Sequence, residues 1–252
     1  MDIMANLKLV IEYDGTRYQG FIRQQKGKEP SVEEKFIAIA ERLSQQEVKV
    51  SGAVRLEKGV HAVNMVLNCK CELPTELQEA KRLKKYFNEY LPKDITVLSL
   101  SIVDERFDSN LNKKGLRFAY EIQTGDVQDV FGSHFSVYLP QFKNLEEAEQ
   151  AAKLLSGKKD YKMFSATKSK KNSTIRTVKM IQIMRQDSKC IIRIEVDNTM
   201  PGMILGIVGA IIGVGSGQVT LDQLQAMLAE ETQWPKELLA PAKGLMLTDV
   251  LY

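Results

Sequence analysis

The order of strand-like and helix-like segments is the feature that most constrains how this chain can fold. Apolar residues alternate with polar ones in segments typical of strands, and recur every three to four residues in segments typical of helices. In the first hundred residues the predicted order is β-α-β-β-α-β, from segments 7–13, 31–43, 47–54, 63–72, 77–90 and 95–103. This is the order of a ferredoxin-like α/β unit.

The second half of the chain repeats this order approximately. Strand-like segments occupy residues 115–123, 177–184, 189–196 and 244–252, and helix-like segments occupy residues 145–156 and 221–230. We therefore predict two ferredoxin-like domains, residues 1–105 and 106–252. The apolar run 203–214 is shorter than the about 20 residues that a membrane span needs, so it predicts a buried helix.

Composition is typical of a globular protein in a reducing compartment. Hydrophobic residues make up 44% of the chain, and 35 Lys and Arg oppose 32 Asp and Glu for a net charge of +3. Overall charge therefore does not indicate a nucleic-acid partner, although a local basic face remains compatible with one. Cys69 and Cys71 lack further ligands nearby, so no zinc site is predicted. Without a secretory leader, we expect an intracellular protein, in the cytoplasm or in an organelle with a reducing interior.

The segment 51–62 carries the residues best suited to chemistry. It reads S-G-A-V-R-L-E-K-G-V-H-A and places Arg55, Glu57 and His61 between two apolar, strand-like runs. Charged groups on a loop between strands are typical of functional sites, but an R-x-E pattern alone is equally typical of a solvated turn. His61 is more typical of a histidine that packs within the loop than of a catalytic base.

Short motifs are distributed in order along nearly the whole chain. They include Y-D-G-T-x-Y-x-G at 13–20, S-V-x-x-K at 31–35, G-A-x-R-x-x-x-G-V-H-A at 52–62, L-P-x-D-I at 91–95, L-L-x-G-x-x-D-Y-x-x-F-x-A at 154–166, I-R-T at 175–177 and A-P-A-x-G-L-x-L-x-x-V-x-Y at 240–252. Together these motifs resemble those of the tRNA pseudouridine synthase A family.

The resemblance implies two ferredoxin-like domains whose antiparallel sheets join, with a central cleft between them. It also implies a homodimer, no metal or organic cofactor, and a uridine of the tRNA anticodon arm as substrate. The family detaches this base from its sugar and rejoins it through carbon, so the base must leave its stack. Such chemistry requires a carboxylate at the sugar–base bond, an arginine that orients it, and an aromatic face against the base.

The chain departs from the family pattern at four positions of the implied site. Glu57 stands where the motif G-R-T-D-A-G-V-H has its catalytic aspartate, and Leu205 stands where the family has the arginine that pairs with it. Asn110 replaces the arginine of H-A-R-F. Phe118 occupies the aromatic position of R-Y-R-Y, where it keeps a stacking face and loses the hydroxyl.

These departures predict an RNA-binding protein whose isomerase activity is lost or strongly impaired. A buried carboxylate without its arginine partner favours the neutral form, which does not suit chemistry by a charged carboxylate. The alternative is an active synthase that uses Glu57, with Arg55 or Lys58 supplying the missing positive charge. The residues expected to contact RNA are Arg55, Asn110, Arg176, Lys168, Lys170 and Lys171.

The expected partners follow from the same resemblance. They are tRNA or another structured RNA, together with a second copy of the chain, an active paralogue in a heterodimer, or a larger ribonucleoprotein. No membrane partner is expected.

Overall fold

The structure is a computed structural model that describes residues 3–23, 29–165 and 173–252. It divides into two compact units. Unit 1 comprises Met1–Lys114 and Leu247–Tyr252, and unit 2 comprises Gly115–Met246. Both units combine strands with helices, so the α/β class predicted from the sequence is confirmed.

Unit 1 is built on an antiparallel sheet with two helices. Its elements are β1 (Ile3–Tyr13), α1 (Val32–Ser44), β2 (Lys49–Gly52), β3 (His61–Leu73), α2 (Ala80–Tyr90), β4 (Ile95–Val103) and most of β10 (Leu245–Leu251). β1 lies between β3 and β4, and β3 also pairs with β2 and β10. α1 packs against β3 and α2 against β4, with the rings of Phe36 and Phe87 stacked 6.1 Å apart.

Unit 2 combines largely antiparallel strands with three helices. Its elements are β5 (Gly115–Gln123), β6 (Val137–Tyr138), α3 (Leu145–Leu155), β7 (Gly157–Asp160), β8 (Ile175–Gln186), β9 (Lys189–Val196), α4 (Met203–Gly215) and α5 (Leu221–Ala229). The strand order is β5-β9-β8-β7 with antiparallel pairing, and the short β6 runs parallel to β5. Besides the predicted β-α-β-β-α-β elements, this half contains β6, β7 and the separate helix α4.

Local sequence signals explain several of these boundaries. The capping box predicted at the start of α1 is present, since the Ser31 side chain accepts from the Glu34 amide and the Glu34 carboxylate accepts from the Ser31 amide. α2 begins at Ala80, three residues later than predicted, because a separate turn at Thr75–Leu77 precedes it.

The apolar run near the end of the chain forms a buried helix, as predicted. Every residue of α4 is buried. Among the residues that the structure describes, no helix is long and apolar enough to cross a membrane.

The division between the units differs from the predicted boundary after residue 105. Unit 1 extends to Lys114, whose amide donates to the Leu251 carbonyl at 2.7 Å. The chain end belongs to unit 1 as well, because the Asn64 side chain donates to the Thr248 carbonyl at 2.9 Å. These contacts join residues more than 130 positions apart, so a division based on consecutive segments does not anticipate them.

Candidate active-site loop

The loop between β2 and β3, residues 53–60, is fixed by backbone contacts with the segment that follows β1. The amide of Phe21 donates to the Leu56 carbonyl at 3.0 Å, and Gly20 forms an isolated β-bridge with Glu57. Gly20 has φ +118°, and a β-carbon there would lie 2.5 Å from the Leu56 oxygen. Glycine at position 20 is therefore required for the chain to approach the loop this closely.

His61 joins the end of this loop to the turn after β1. Its side chain is 2% exposed, and its Nδ1 atom accepts from the Gly15 amide at 3.0 Å and lies 3.1 Å from the Asp14 carboxylate. This burial agrees with the packing role expected for His61. The motif at 13–20 and the motif at 52–62 are therefore parts of one local structure.

Asp94 ties the same turn to the start of β4. Its carboxylate accepts from the Arg17 guanidinium at 2.6 Å and from the Tyr18 hydroxyl at 2.8 Å. Its carbonyl accepts from the Asp14 amide at 3.0 Å. The L-P-x-D-I motif thus supports the loop from a third segment, a role that the sequence pattern did not reveal.

Glu57 is half-buried, and its charge acts on the buried phenol of Tyr13. Tyr13 is 4% exposed, and its hydroxyl has no hydrogen-bond partner among the residues that the structure describes. Burial raises the pKa of Tyr13 far above its ordinary value, and the negative charge of Glu57 raises it further. The phenol therefore stays neutral beside the carboxylate. Tyr13 is not among the site residues predicted from the sequence, although it is the first residue of the motif at 13–20.

The two basic side chains of the loop have different environments. Arg55 is exposed, and it makes no hydrogen bond or ion pair with any described residue. Lys58 forms an ion pair with Glu29 at 2.7 Å, and both side chains are largely exposed. Arg55 is therefore the loop cation that remains available for a ligand.

Asn110, the other predicted site residue of unit 1, lies in a turn between β4 and β5. It is exposed, its amide donates to the Asp108 carboxylate at 2.8 Å, and its side-chain oxygen contacts the Lys113 ammonium. A neutral amide thus stands at this surface position, beside a lysine.

Phe118 and its neighbour Arg117 lie on opposite faces of β5 in unit 2. Phe118 is 2% exposed, so its ring is covered rather than displayed. Arg117 is exposed, and its Nε atom donates to Glu195 at 2.8 Å, with Lys179 3.6 Å from the same carboxylate. The Arg117 hydrogen bond, with the charges of both cations, holds the pKa of Glu195 below its usual value.

Leu205 belongs to the buried helix α4. It is 9% exposed, and its carbonyl accepts from the Ala240 amide at 3.0 Å. No acidic or basic residue occurs anywhere in α4. The helix that carries Leu205 therefore offers no positive charge of its own.

Arg176 is the second residue of β8 and is half-buried. Its Nη1 atom donates to the carbonyls of Ser173 and Ile175 at 2.8 and 2.7 Å, and its Nε atom is buried without a partner among the described residues. The predicted RNA contacts Lys168, Lys170 and Lys171 lie outside the residues that the structure describes.

Known proteins are similar to this chain over nearly its whole length. The family described as tRNA pseudouridine synthase matches residues 9–110 and 151–252. A protein named tRNA pseudouridine synthase A 2 from Bacillus cereus strain ATCC 14579 is 33% identical over 247 residues, which are 98% of this chain and 99% of that protein. One named tRNA pseudouridine synthase A 1 from Clostridium tetani is 31% identical over 249 residues, 99% of this chain and 100% of that protein.

Among solved structures, that of a Cbf5–Nop10–Gar1 complex matches with a TM-score of 0.40 and 12% identity. The match covers 96% of this chain and 48% of the other, so this chain spans about half the length of that protein. The family match and the two bacterial relatives, rather than this structural similarity, establish the ancestry. This chain belongs to the tRNA pseudouridine synthase family.

Proposed function

We propose that this protein binds tRNA or another structured RNA and has lost most or all of the isomerase activity of its family. The observation that carries the proposal is the setting of Leu205, an apolar residue in a buried helix without any charge. In the resemblance stated above, this position holds the arginine that pairs with the catalytic carboxylate.

The exchange of aspartate for Glu57 supports the same proposal. The added methylene moves the carboxylate by about 1 Å, and a misplacement of about 1 Å can reduce a rate by about a hundredfold. A shift of the loop backbone cannot easily restore the position of the carboxylate, because the β-bridge to Gly20 and the hydrogen bond from Phe21 to Leu56 hold the loop.

Replacing both the catalytic aspartate and its arginine partner destabilises the fold less than replacing the arginine alone. Removing only the arginine would leave a buried carboxylate without its counter-charge, which costs more than replacing both members of the pair. A glutamate has a longer side chain that reaches towards solvent, and Glu57 is half-buried rather than buried. Glu57 and Leu205 together are therefore compatible with a stable fold without the catalytic ion pair.

RNA binding is supported by the availability of Arg55. This exposed guanidinium lies on a fixed loop and makes no hydrogen bond to the protein groups that the structure describes. It can therefore contact a phosphate or a base edge. A homodimer, a heterodimer with an active paralogue, or a ribonucleoprotein are the assemblies in which such binding would be used.

Arg55→Ala is expected to weaken tRNA binding about tenfold and to reduce the slope of log affinity against log salt by about one. Arg42→Ala is a matched control, because this arginine on α1 already lies 4.2 Å from the Tyr90 ring. The tRNA affinity of the Arg42→Ala variant should stay within about twofold of that of the unchanged protein. Titration of labelled tRNA at several salt concentrations measures both effects. Binding that is absent, or independent of salt, would favour a protein partner instead.

A working synthase is the second candidate, and the retained carboxylate favours it. Glu57 stands beside the neutral phenol of Tyr13, so a carboxyl group is still present at the position that the resemblance gives to the family's catalytic residue. Lys58 is engaged with Glu29, which makes Arg55 the better source of the compensating charge. Mapping of pseudouridine after incubation with unmodified tRNA separates the two candidates.

A further inference from the structure

Two buried asparagines lie on neighbouring strands of the unit 1 sheet. Asn6 of β1 is 3% exposed and Asn68 of β3 is 5% exposed. The Asn68 amide nitrogen donates to the Asn6 side-chain oxygen at 3.3 Å. Buried amides are costly unless they are hydrogen-bonded, so the hydrogen-bond partners of these two asparagines indicate their role.

Both asparagines bind the segment 104–114, which we call the strap. The Asn6 amide nitrogen donates to the carbonyls of Asp104 and Phe107, each at 2.9 Å. The Asn68 oxygen accepts from the Ser109 amide at 2.9 Å. The two side chains therefore hold the backbone of the strap by three hydrogen bonds.

Ser109 connects the strap to the candidate loop and to the chain end. It is fully buried, its hydroxyl donates to the Ser51 carbonyl at 2.7 Å, and its carbonyl accepts from the Tyr252 hydroxyl at 2.9 Å. The Lys8 ammonium lies 4.5 Å from the Tyr252 ring and 5.1 Å from the Phe107 ring. Through Ser51, at the end of β2, the strap is held against the start of the loop that carries Arg55 and Glu57.

The outer part of the strap displays groups that suit an RNA base. The Asp108 carboxylate accepts from the amides of Asn110 and Leu111, each at 2.8 Å, which fixes this turn. Leu111 is 80% exposed, Asn110 is exposed, and the Lys113 ammonium donates to the Asn110 carbonyl at 3.0 Å. An apolar surface, an amide and a cation together suit the face, edge and phosphate of an unstacked nucleotide.

We propose that Asn68 is a positioning residue, which holds the strap so that Asn110 and Leu111 contact an unstacked nucleotide of the bound RNA beside the loop. This inference rests on the proposed RNA binding and adds the element that contacts the base. The hydrogen bond from Ser109 to Asn68 is its geometric basis.

The test compares Asn68→Leu with Asn64→Leu. Both asparagines lie on β3, four positions apart and thus on the same face of the strand, but Asn64 donates to Thr248 rather than to the strap. Asn68→Leu should speed hydrogen exchange at the Ser109 amide and weaken tRNA binding about tenfold, because a buried N–H loses its acceptor. Asn64→Leu should change the exchange rate at the Ser109 amide and the tRNA affinity by less than about twofold, since the strap keeps its contacts.

A double-mutant cycle distinguishes positioning from general destabilisation. Leu111→Ala alone should weaken binding about fivefold, and should add almost nothing to Asn68→Leu, because a displaced strap no longer presents Leu111. Independent effects that multiply would overturn the inference, as would normal affinity despite rapid exchange at Ser109. If Asn68→Leu does not fold, unchanged binding by Leu111→Ala and by Asn110→Ala would overturn it.

The outcome also separates this inference from the proposed function. Salt-dependent binding that survives all of these substitutions leaves the RNA-binding proposal standing and removes the strap from the interface. If the unchanged protein binds no tRNA, both the proposed function and the contact assigned to the strap are wrong.

Discussion

The protein that carries Glu57→Asp together with Leu205→Arg is expected to form pseudouridine in unmodified tRNA at least about a hundredfold faster than the unchanged protein. Aspartate has a side chain one methylene shorter than glutamate, so it returns the carboxylate to the distance from the backbone that the family pattern implies. The arginine supplies the positive charge that α4 lacks and favours the charged form of the carboxylate. Initial rates of pseudouridine formation measure the gain.

The single substitutions serve as controls for this expectation. Glu57→Asp alone lacks the cation, and Leu205→Arg alone lacks the shorter carboxylate, so each should remain close to the unchanged protein in rate. Their unfolding free energies should be measured as well, because an unpaired arginine at the buried position 205 costs about 3 kcal/mol or more. A stable but inactive double variant would show that other positions, Asn110 and Phe118 first, have also diverged.

Gly209→Ala is expected to lower the free energy of unfolding by about 3 kcal/mol, because overpacking against backbone cannot be relieved by a rotamer change. A β-carbon at this position of α4 would overlap the Leu238 carbonyl oxygen and lie 3.0 Å from the Ala240 nitrogen. Ala240 is itself bonded to the Leu205 carbonyl, so that segment cannot easily move away.

Gly213→Ala is the matched control on the same helix. Its β-carbon would meet only the Val219 side chain, whose nearest methyl group lies at 3.3 Å, and alanine improves helix propensity by about 1 kcal/mol. We expect a change of less than about 1 kcal/mol, since these effects oppose each other. Urea unfolding of the two variants measures the difference. Equal losses at both positions would contradict the close approach of residues 238–240 to α4.

Much of the fold follows from local patterns in the sequence. The capping box at Ser31 and Glu34, the alternation along β1 and the uninterrupted apolar run of α4 each predict an element that the structure contains. These signals are readable because they arise from neighbouring residues. The short strands β6 and β7 were not predicted, since two to four residues carry too little periodicity.

The support of the candidate site depends on contacts that local patterns do not contain. Asp94 binds Arg17 from 77 residues away, and Asn6 binds the Phe107 carbonyl from 101 residues away. The burial of Asn68 and Tyr13 also follows from tertiary packing rather than from their neighbours. The motifs identify the residues of the family pattern, whereas the structure reveals which of them hold each other in place.

The most direct test of the account is a pseudouridine map of unmodified tRNA after incubation with the unchanged protein, with Glu57→Ala and with no protein. We expect the tRNA to bind to the unchanged protein in a salt-dependent manner and to gain no pseudouridine beyond the protein-free sample. Conversion of a uridine by the unchanged protein that disappears with Glu57→Ala would contradict it, and would identify Glu57 as a working catalytic carboxylate.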